Sequence, residues 1–306
     1  MRIYESRTLR AFMTRGAPDS DLADLVTFEP LNSRRELFAA TVAQKYGFNV
    51  VHIVPGGNDW YQYDDLDLCL DSVAAVTAPG ATITGASMGG YAATTYSDRL
   101  PATKTLTYGP QFSIQRTVVP EETRWATESE RIEFRSDDAE IGQRARHYVL
   151  YDPLFSRDVR HVELIATHGR DVVLVPVSCG GHTIARTLAQ AGVLSAVLRT
   201  VLAGEPTRDE LSTLIDEQLP GSSHYQLGVA LQQPLAMREP YLRTALELTP
   251  KDVAVLKMLG NTLCELGDVE GLDYLRAALK RRPNDPRFLR ALERGIKALQ
   301  DARRTA

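Results

Sequence analysis

The segment Gly85-Ala86-Ser87-Met88-Gly89 places one serine between two glycines, and this spacing is typical of a catalytic nucleophile. The β-branched run Thr82–Thr84 precedes it and small residues follow, so the segment predicts a strand, a sharp turn and a helix. A side chain at Gly85 or Gly89 would collide with neighbouring backbone in such a turn. The hydroxyl of Ser87 would then lie at a helix N-terminus, which favours a developing oxyanion. An ordinary turn is the alternative interpretation.

A serine nucleophile needs a base that accepts its proton. Of the six histidines, His182 is the predicted base, because it follows the last predicted strand, Asp171–Val177. The preceding Gly180-Gly181 gives that loop the freedom to bring the imidazole over the sheet. The other histidines are expected to pack in strands or to be solvated. His161, near a predicted helix, is expected to be solvated.

The base in turn needs a carboxylate that orients it, and the chain order Ser, Asp, His places this group between Ser87 and His182. Asp152 is preferred, because it directly follows the predicted strand Tyr148–Tyr151 and precedes a proline. Asp158 is the alternative, although it could equally cap the helix that follows.

The elements that must position these residues alternate between strands and helices up to about residue 204. This alternation predicts an α/β domain over 1–204, with a mostly parallel sheet covered by helices on both faces. The polar stretch 111–145 interrupts it as a candidate cap insertion.

Residues 205–306 are predicted to be helical throughout and to form a second, all-α domain. Ala245-Leu246 and Pro250-Lys251-Asp252 recur as Ala278-Leu279 and Pro283-Asn284-Asp285. This period resembles the tetratricopeptide repeat, whose helix pairs build surfaces that bind peptides. An ordinary helical cap on the α/β domain is the alternative.

From about residue 20 to 203 the chain resembles the α/β-hydrolase superfamily, on the elbow around Ser87, the aspartate after a strand and Gly181-His182. The resemblance implies a Ser87–His182–Asp152 triad and an oxyanion hole. One oxyanion donor would be the backbone N–H of Met88. The other would come from the loop after an early strand, from Leu31 or Asn32, because Pro30 has no N–H. No cofactor and no metal are implied.

A second loop, Gly56–Gln62, follows an early strand at the edge of the sheet where ligands of such folds bind. Its Asn58, Trp60 and Tyr61 could contact a sugar or an acyl chain, or form an ordinary loop with one anchoring aromatic residue. In the candidate insertion, Arg116, Arg124 and Trp125 could bind an acidic or planar group, or lie on a solvated surface.

The composition excludes several classes of protein. A net charge of −4 argues against nucleic acid as a partner. Three dispersed cysteines form neither a metal motif nor a disulfide framework. Without a signal-like N-terminus or a long apolar run, we expect a cytoplasmic protein that binds no membrane.

The sequence therefore predicts a serine hydrolase that acts on a carboxylic ester or thioester, with a small-molecule or carbohydrate ester as substrate. An acyltransferase that uses the same triad is one alternative. Another is a protein-interaction scaffold in which the helical repeat binds a protein partner and the hydrolase site is vestigial.

Overall fold

The computed structural model describes residues 1–16, 23–30, 37 and 40–305. The chain forms two compact units. The first contains residues 1–185 and 193–216, and the second contains 186–192 and 217–306. In the described part of the chain, no helix combines the length and the apolar character that crossing a bilayer requires.

The first unit is built on one eight-stranded sheet. Its strands are β1 Arg2–Glu5, β2 Leu9–Thr14, β3 Ala23–Phe28, β4 Val50–Pro55, β5 Thr77–Ala86, β6 Ala102–Tyr108, β7 Arg146–Tyr151 and β8 Val172–Pro176. The order across the sheet is β1-β2-β4-β3-β5-β6-β7-β8. Strands β1 and β2 pair antiparallel with each other, β2 pairs antiparallel with β4, and all remaining pairs are parallel. The predicted mostly parallel sheet is confirmed.

Helices follow the strands as the alternation of the sequence predicted. They are α1 Ala40–Tyr46, α2 Leu66–Ala74, α3 Met88–Thr95, α4 Ala126–Arg131, α5 Ser156–His168, α6 Ile184–Gln190, α7 Leu194–Ala203 and α8 Arg208–Asp216; from Arg186 onward, α6 belongs to the second unit. Most residues of the central strands are buried on both sides of the sheet, as parallel sheets require.

The two faces of the sheet are covered by different helices. On one face, Val26, Ile53 and Ile83 pack with α2 and α3 in a single apolar core. On the other face, Lys104 of β6 reaches α7, where its ammonium donates to the carbonyl oxygens of Val201, Leu202 and Gly204 at 2.6, 3.2 and 2.9 Å. A buried cation therefore caps the C-terminus of α7.

The boundary between the units lies later than the sequence suggested. The prediction ended the α/β domain at residue 204, but α8 packs against β8 and belongs to the first unit. Its buried Leu211 and Ile215 supply the apolar face for this contact.

The second unit is helical, with α9 Ser223–Gln232, α10 Glu239–Leu248, α11 Val253–Glu265, α12 Gly271–Arg281 and α13 Pro286–Thr305. The repeated sequence positions are structurally equivalent. Ala245 of α10 and Ala278 of α12 are both completely buried. Asp252 accepts the Ala254 N–H at the start of α11, and Asp285 accepts the Arg287 N–H at the start of α13. Two similar helix pairs therefore follow each other, and the tetratricopeptide interpretation stays a prediction.

The Lys104 cap gives a test of the packing of the sheet. We expect Lys104→Met to lower the free energy of unfolding by about 2 kcal/mol, because it leaves buried carbonyls without their charged donor. Urea unfolding of the full chain measures this. Lys251→Met, at an exposed lysine of the second unit, should change stability by less than about 0.5 kcal/mol. Equal effects of the two substitutions would contradict the cap.

Candidate active site

Ser87 lies at the sharp turn between β5 and α3, as predicted. Its φ of 52° and ψ of −117° are unfavourable for a residue with a side chain. The turn is held on both sides, because the Ser87 N–H donates to the Tyr108 carbonyl at 3.0 Å and the Ser87 carbonyl accepts the Tyr91 N–H at 2.9 Å. The strained backbone projects the hydroxyl from the end of the strand, and the side chain stays partly exposed.

The two flanking glycines are required by close approach of the backbone. A Cβ at Gly85 would lie 2.2 Å from the Gly89 carbonyl oxygen, and a Cβ at Gly89 would lie 2.1 Å from the Phe28 carbonyl oxygen. Both colliding atoms belong to the backbone. They could move aside only if the elbow itself changed shape or β3 moved away from it. The collisions expected from the sequence are therefore present in the structure.

His182 contacts the serine as predicted. Its Nε2 lies 3.0 Å from Ser87 Oγ, within hydrogen-bond reach. The histidine is carried by the loop between β8 and α6, and its side chain is 23% exposed. A solvent-accessible imidazole beside a serine hydroxyl can accept the proton of that hydroxyl.

The carboxylate behind the imidazole belongs to Asp158, which corrects the preference for Asp152. Asp158 Oδ2 lies 2.7 Å from His182 Nδ1, and the aspartate is completely buried. Because a carboxylate accepts at this position, Nδ1 carries the proton and the Nε2 lone pair faces Ser87. Asp158 does not cap its helix; it lies in the first turn of α5, after the N-cap residue Phe155.

Asp152 has a different set of partners, all of them backbone N–H groups. Its Oδ1 accepts from Leu154 at 2.9 Å and from Cys179 at 3.2 Å, and its Oδ2 accepts from Gly181 at 2.8 Å. Two of these three donors precede His182 in its loop. Asp152 therefore fixes the backbone that carries the imidazole and does not contact the ring.

Backbone strain is concentrated around these loops. Within the described residues, five that are not glycine have positive φ: Trp60, Tyr61, Ser87, Ala139 and Cys179. Ser87 and Cys179 belong to the elbow and to the histidine loop, and Trp60 and Tyr61 to the predicted ligand loop. Each costs roughly 1–3 kcal/mol and persists only where surrounding contacts impose it.

The predicted oxyanion donors are only partly described. Met88 is the first residue of α3, where backbone N–H groups have no partner within the helix. Its position directly after Ser87 is the one that the elbow geometry assigns to an oxyanion donor. Leu31 and Asn32 lie outside the described residues, so the second donor stays a prediction.

Gln111 is a buried neighbour of the serine that the sequence analysis missed. Its Oε1 accepts the Trp60 indole N–H at 3.0 Å and lies 3.5 Å from Ser87 Oγ. Because an indole N–H only donates, this contact fixes the orientation of the amide. Within the described part of the chain, Gln111 Nε2 has no hydrogen-bond partner. The signal in the sequence was its place just after β6, at the ligand-binding edge of the sheet.

The three predicted substrate contacts are placed differently from one another. Tyr61 lies in the core, where its hydroxyl donates to the Glu29 carbonyl at 2.8 Å, and this position does not support contact with a ligand. Trp60 is also buried, and its indole N–H donates to Gln111, the neighbour of Ser87. Asn58 is half-buried, and its carbonyl accepts from Arg131 at 3.0 Å.

Two further expectations about polar residues were wrong. Arg124 does not point to solvent or to an open pocket; its Nη1 donates to Asp158 Oδ1 at 2.9 Å. His161 is buried and lies 2.9 Å from Glu122.

Within the described residues, no group of three or more histidine, cysteine, aspartate or glutamate side chains is arranged to hold a metal ion.

No family model matches the sequence, and no curated protein matches it. Solved structures do match. A capsule O-acetyltransferase of Neisseria meningitidis serogroup A is 11% identical, with a TM-score of 0.46 over 66% of this chain and 94% of that chain. Alpha/beta hydrolase domain-containing protein 10 from mouse is 11% identical, with a TM-score of 0.44 over 66% and 98%. A serine hydrolase without a lid from Xanthomonas campestris is 15% identical, with a TM-score of 0.38 over 65% and 91%.

At these identities and TM-scores, the matches carry no inference about substrate or activity. The fold is established by the sheet order, by the helices on both faces and by the strand, turn and helix around Ser87. The first unit has an α/β-hydrolase-like fold, followed by a helical C-terminal region, and the predicted resemblance to the α/β-hydrolase superfamily is confirmed at the level of the fold.

The distinct contacts of the two aspartates predict distinct effects on the reactivity of Ser87. We expect Asp158→Asn to slow labelling of Ser87 by a fluorophosphonate about 10³–10⁴-fold, because the amide no longer holds the reactive tautomer of His182. Asp152→Asn should slow labelling only about 10-fold and lower the unfolding free energy by about 1–3 kcal/mol, through the lost loop contacts.

Labelling rates followed by mass spectrometry, with urea unfolding in parallel, measure both effects. A greater loss of reactivity in Asp152→Asn than in Asp158→Asn would show that the roles are reversed.

Proposed function

We propose that the chain is a serine hydrolase that cleaves a carboxylic ester or thioester through an acyl-enzyme on Ser87. The observation that carries this proposal is the continuous hydrogen-bonded chain from Ser87 Oγ through His182 to Asp158, with distances of 3.0 and 2.7 Å. The side chains come from the turn after β5, the first turn of α5 and the loop after β8, and the arrangement matches the roles of nucleophile, base and orienting acid.

In the first half of the reaction, Ser87 Oγ attacks the carbonyl carbon while its proton moves to His182 Nε2. The carbonyl oxygen becomes an oxyanion beside the Met88 N–H, and one such donor is typically worth about 2.7–4 kcal/mol of barrier. When the tetrahedral intermediate collapses, the bond to the alcohol or thiol breaks. His182 returns the proton to that leaving group, and the acyl group stays on Ser87.

In the second half, water attacks the acyl-enzyme, and His182 takes a proton from it before returning that proton to Ser87. The exposure of the imidazole supports water as the acceptor, because solvent reaches the base directly. The carboxylate of Asp158 stabilises the imidazolium that forms twice in each cycle.

The nucleophile is tested with small chromogenic esters, such as p-nitrophenyl acetate, and with a fluorophosphonate probe. We expect Ser87→Ala to lower kcat/KM by at least about 10³-fold and to abolish labelling, because the covalent intermediate cannot form. Ser72→Ala is a matched control, since its hydroxyl donates to the Leu68 carbonyl of its own helix. An unlabelled wild-type protein would contradict the proposal.

The same assay separates water from other acceptors. When an alcohol such as glycerol is present, hydrolysis predicts that free acid accounts for most of the released acyl group. Acyl glycerol as the main product would instead identify an acyltransferase, with the same residues in the same roles.

A further inference from the structure

The carboxylate of Asp158 is shared between two cationic or potentially cationic partners. Its Oδ2 accepts from His182, and its Oδ1 accepts from Arg124 Nη1 at 2.9 Å. Arg124 lies on the connection between β6 and β7, and its side chain is only 13% exposed. The same Nη1 lies 3.5 Å from His182 Nδ1. Because Nδ1–H donates to Asp158, this is the close approach of a charge and not a hydrogen bond.

The charge of Arg124 is balanced by Glu122 on the same connection. Arg124 Nε lies 3.0 Å from both carboxylate oxygens of Glu122, and Nη2 lies 2.5 Å from Oε2. Burial alone would raise the pKa of Glu122, but hydrogen bonds from His161 and Arg124 lower that pKa to about 2. Glu122 is therefore an anion although its side chain is only 1% exposed.

His161 holds Glu122 in place. Its Nδ1 accepts the Phe112 backbone N–H at 3.1 Å, so that nitrogen carries no proton. The proton is on Nε2, which donates to Glu122 Oε2 at 2.9 Å. His161 is thus a neutral imidazole. It lies three residues after Asp158 on the same face of α5, so one helix face positions both ends of the network.

These contacts determine the charge around His182. When His182 is neutral, Asp158 and Glu122 contribute two negative charges and Arg124 one positive charge. The groups that face the imidazole among the described residues are Asp158 from α5, Arg124 from the connection and the hydroxyl of Ser87 from the elbow; the Phe155 ring beside it is uncharged. Without Arg124, two uncompensated anions would favour the imidazolium.

We propose that Arg124 is a positioning residue that shares the charge of Asp158 and so weakens the attraction of Asp158 for a proton on His182. Glu122 limits this effect by neutralising part of the guanidinium charge. The two residues therefore act on His182 with opposite signs, which a purely structural role of the network would not produce.

Substitutions of Arg124 and Glu122 should shift the pH profile of activity in opposite directions. Activity is lost as pH falls through the pKa of His182, because the imidazolium cannot accept the Ser87 proton. Arg124→Met should raise that pKa by about 1 unit, since a charge within 4–6 Å shifts a pKa by about 1–3 units. Glu122→Gln should lower the pKa, because the Arg124 charge is then less compensated. Arg124→Lys should stay close to the wild type.

The experiment measures the pKa of His182 twice, by NMR of ¹⁵N-histidine-labelled full-length protein and by the acidic limb of kcat/KM for ester hydrolysis. Arg116→Met is the matched control, because Arg116 is an exposed arginine of the same connection; it should leave the pKa unchanged. An unchanged pKa in both Arg124→Met and Glu122→Gln, or shifts of the same sign, would overturn the inference. If Arg124→Met does not fold, Glu122→Gln and Arg124→Lys still decide it.

The inference depends on the proposed function only through the activity readout. Shifts of opposite sign in the NMR pKa of an inactive protein would support the charge network and reject the hydrolase. Ester hydrolysis that requires Ser87, together with a His182 pKa that does not change in Arg124→Met or Glu122→Gln, would support the hydrolase and reject the charge network.

Discussion

The site depends on which nitrogen of one imidazole carries the proton. Asp158 accepts from Nδ1 of His182, so the lone pair of Nε2 faces Ser87; the opposite tautomer would place an N–H against the hydroxyl. This choice requires the elbow, the first turn of α5 and the histidine loop to lie within a few ångströms of one another. The parallel strands β5, β7 and β8 meet this requirement, because their carboxyl ends lie at the same edge of the sheet.

Two aspartates hold that imidazole in place through different contacts. Asp158 contacts the ring, whereas Asp152 accepts three backbone N–H groups and fixes the loop on which the ring is mounted. The loop includes Cys179 at a φ of 62°, an unfavourable conformation for a residue with a side chain. Charge-assisted hydrogen bonds from backbone N–H groups to a buried carboxylate are strong enough to offset such strain. The imidazole of His182 is thus held through its backbone as well as through its side chain.

The sequence was sufficient to predict those structural elements whose determinants lie close together in the chain. Glycines around Ser87, β-branched runs and the position of His182 after the last strand each predict their element through backbone chemistry alone. The aspartate that contacts His182 could not be chosen this way, because Asp152 and Asp158 both follow β7, and only the direction of their side chains separates them. The same limit applies to the Arg124–Asp158 and His161–Glu122 contacts, because Arg124 and His161 lie in polar segments typical of solvated surface and these partners are distant in sequence. The boundary after residue 204 was misplaced because the helix that continues the first unit resembles those of the second.

The connection between β6 and β7 contacts the rest of the first unit through several kinds of interaction. Arg124 bonds to Asp158, the Trp125 ring lies 4.8 Å from that of Trp60, and Asp138 accepts the Tyr91 hydroxyl at 2.8 Å. A segment placed here would conventionally be treated as an exchangeable module that adapts a hydrolase to new substrates. In this protein, grafting another segment would also remove Arg124, the counter-charge of Asp158, so the graft would have to supply a replacement cation beside the His182 loop.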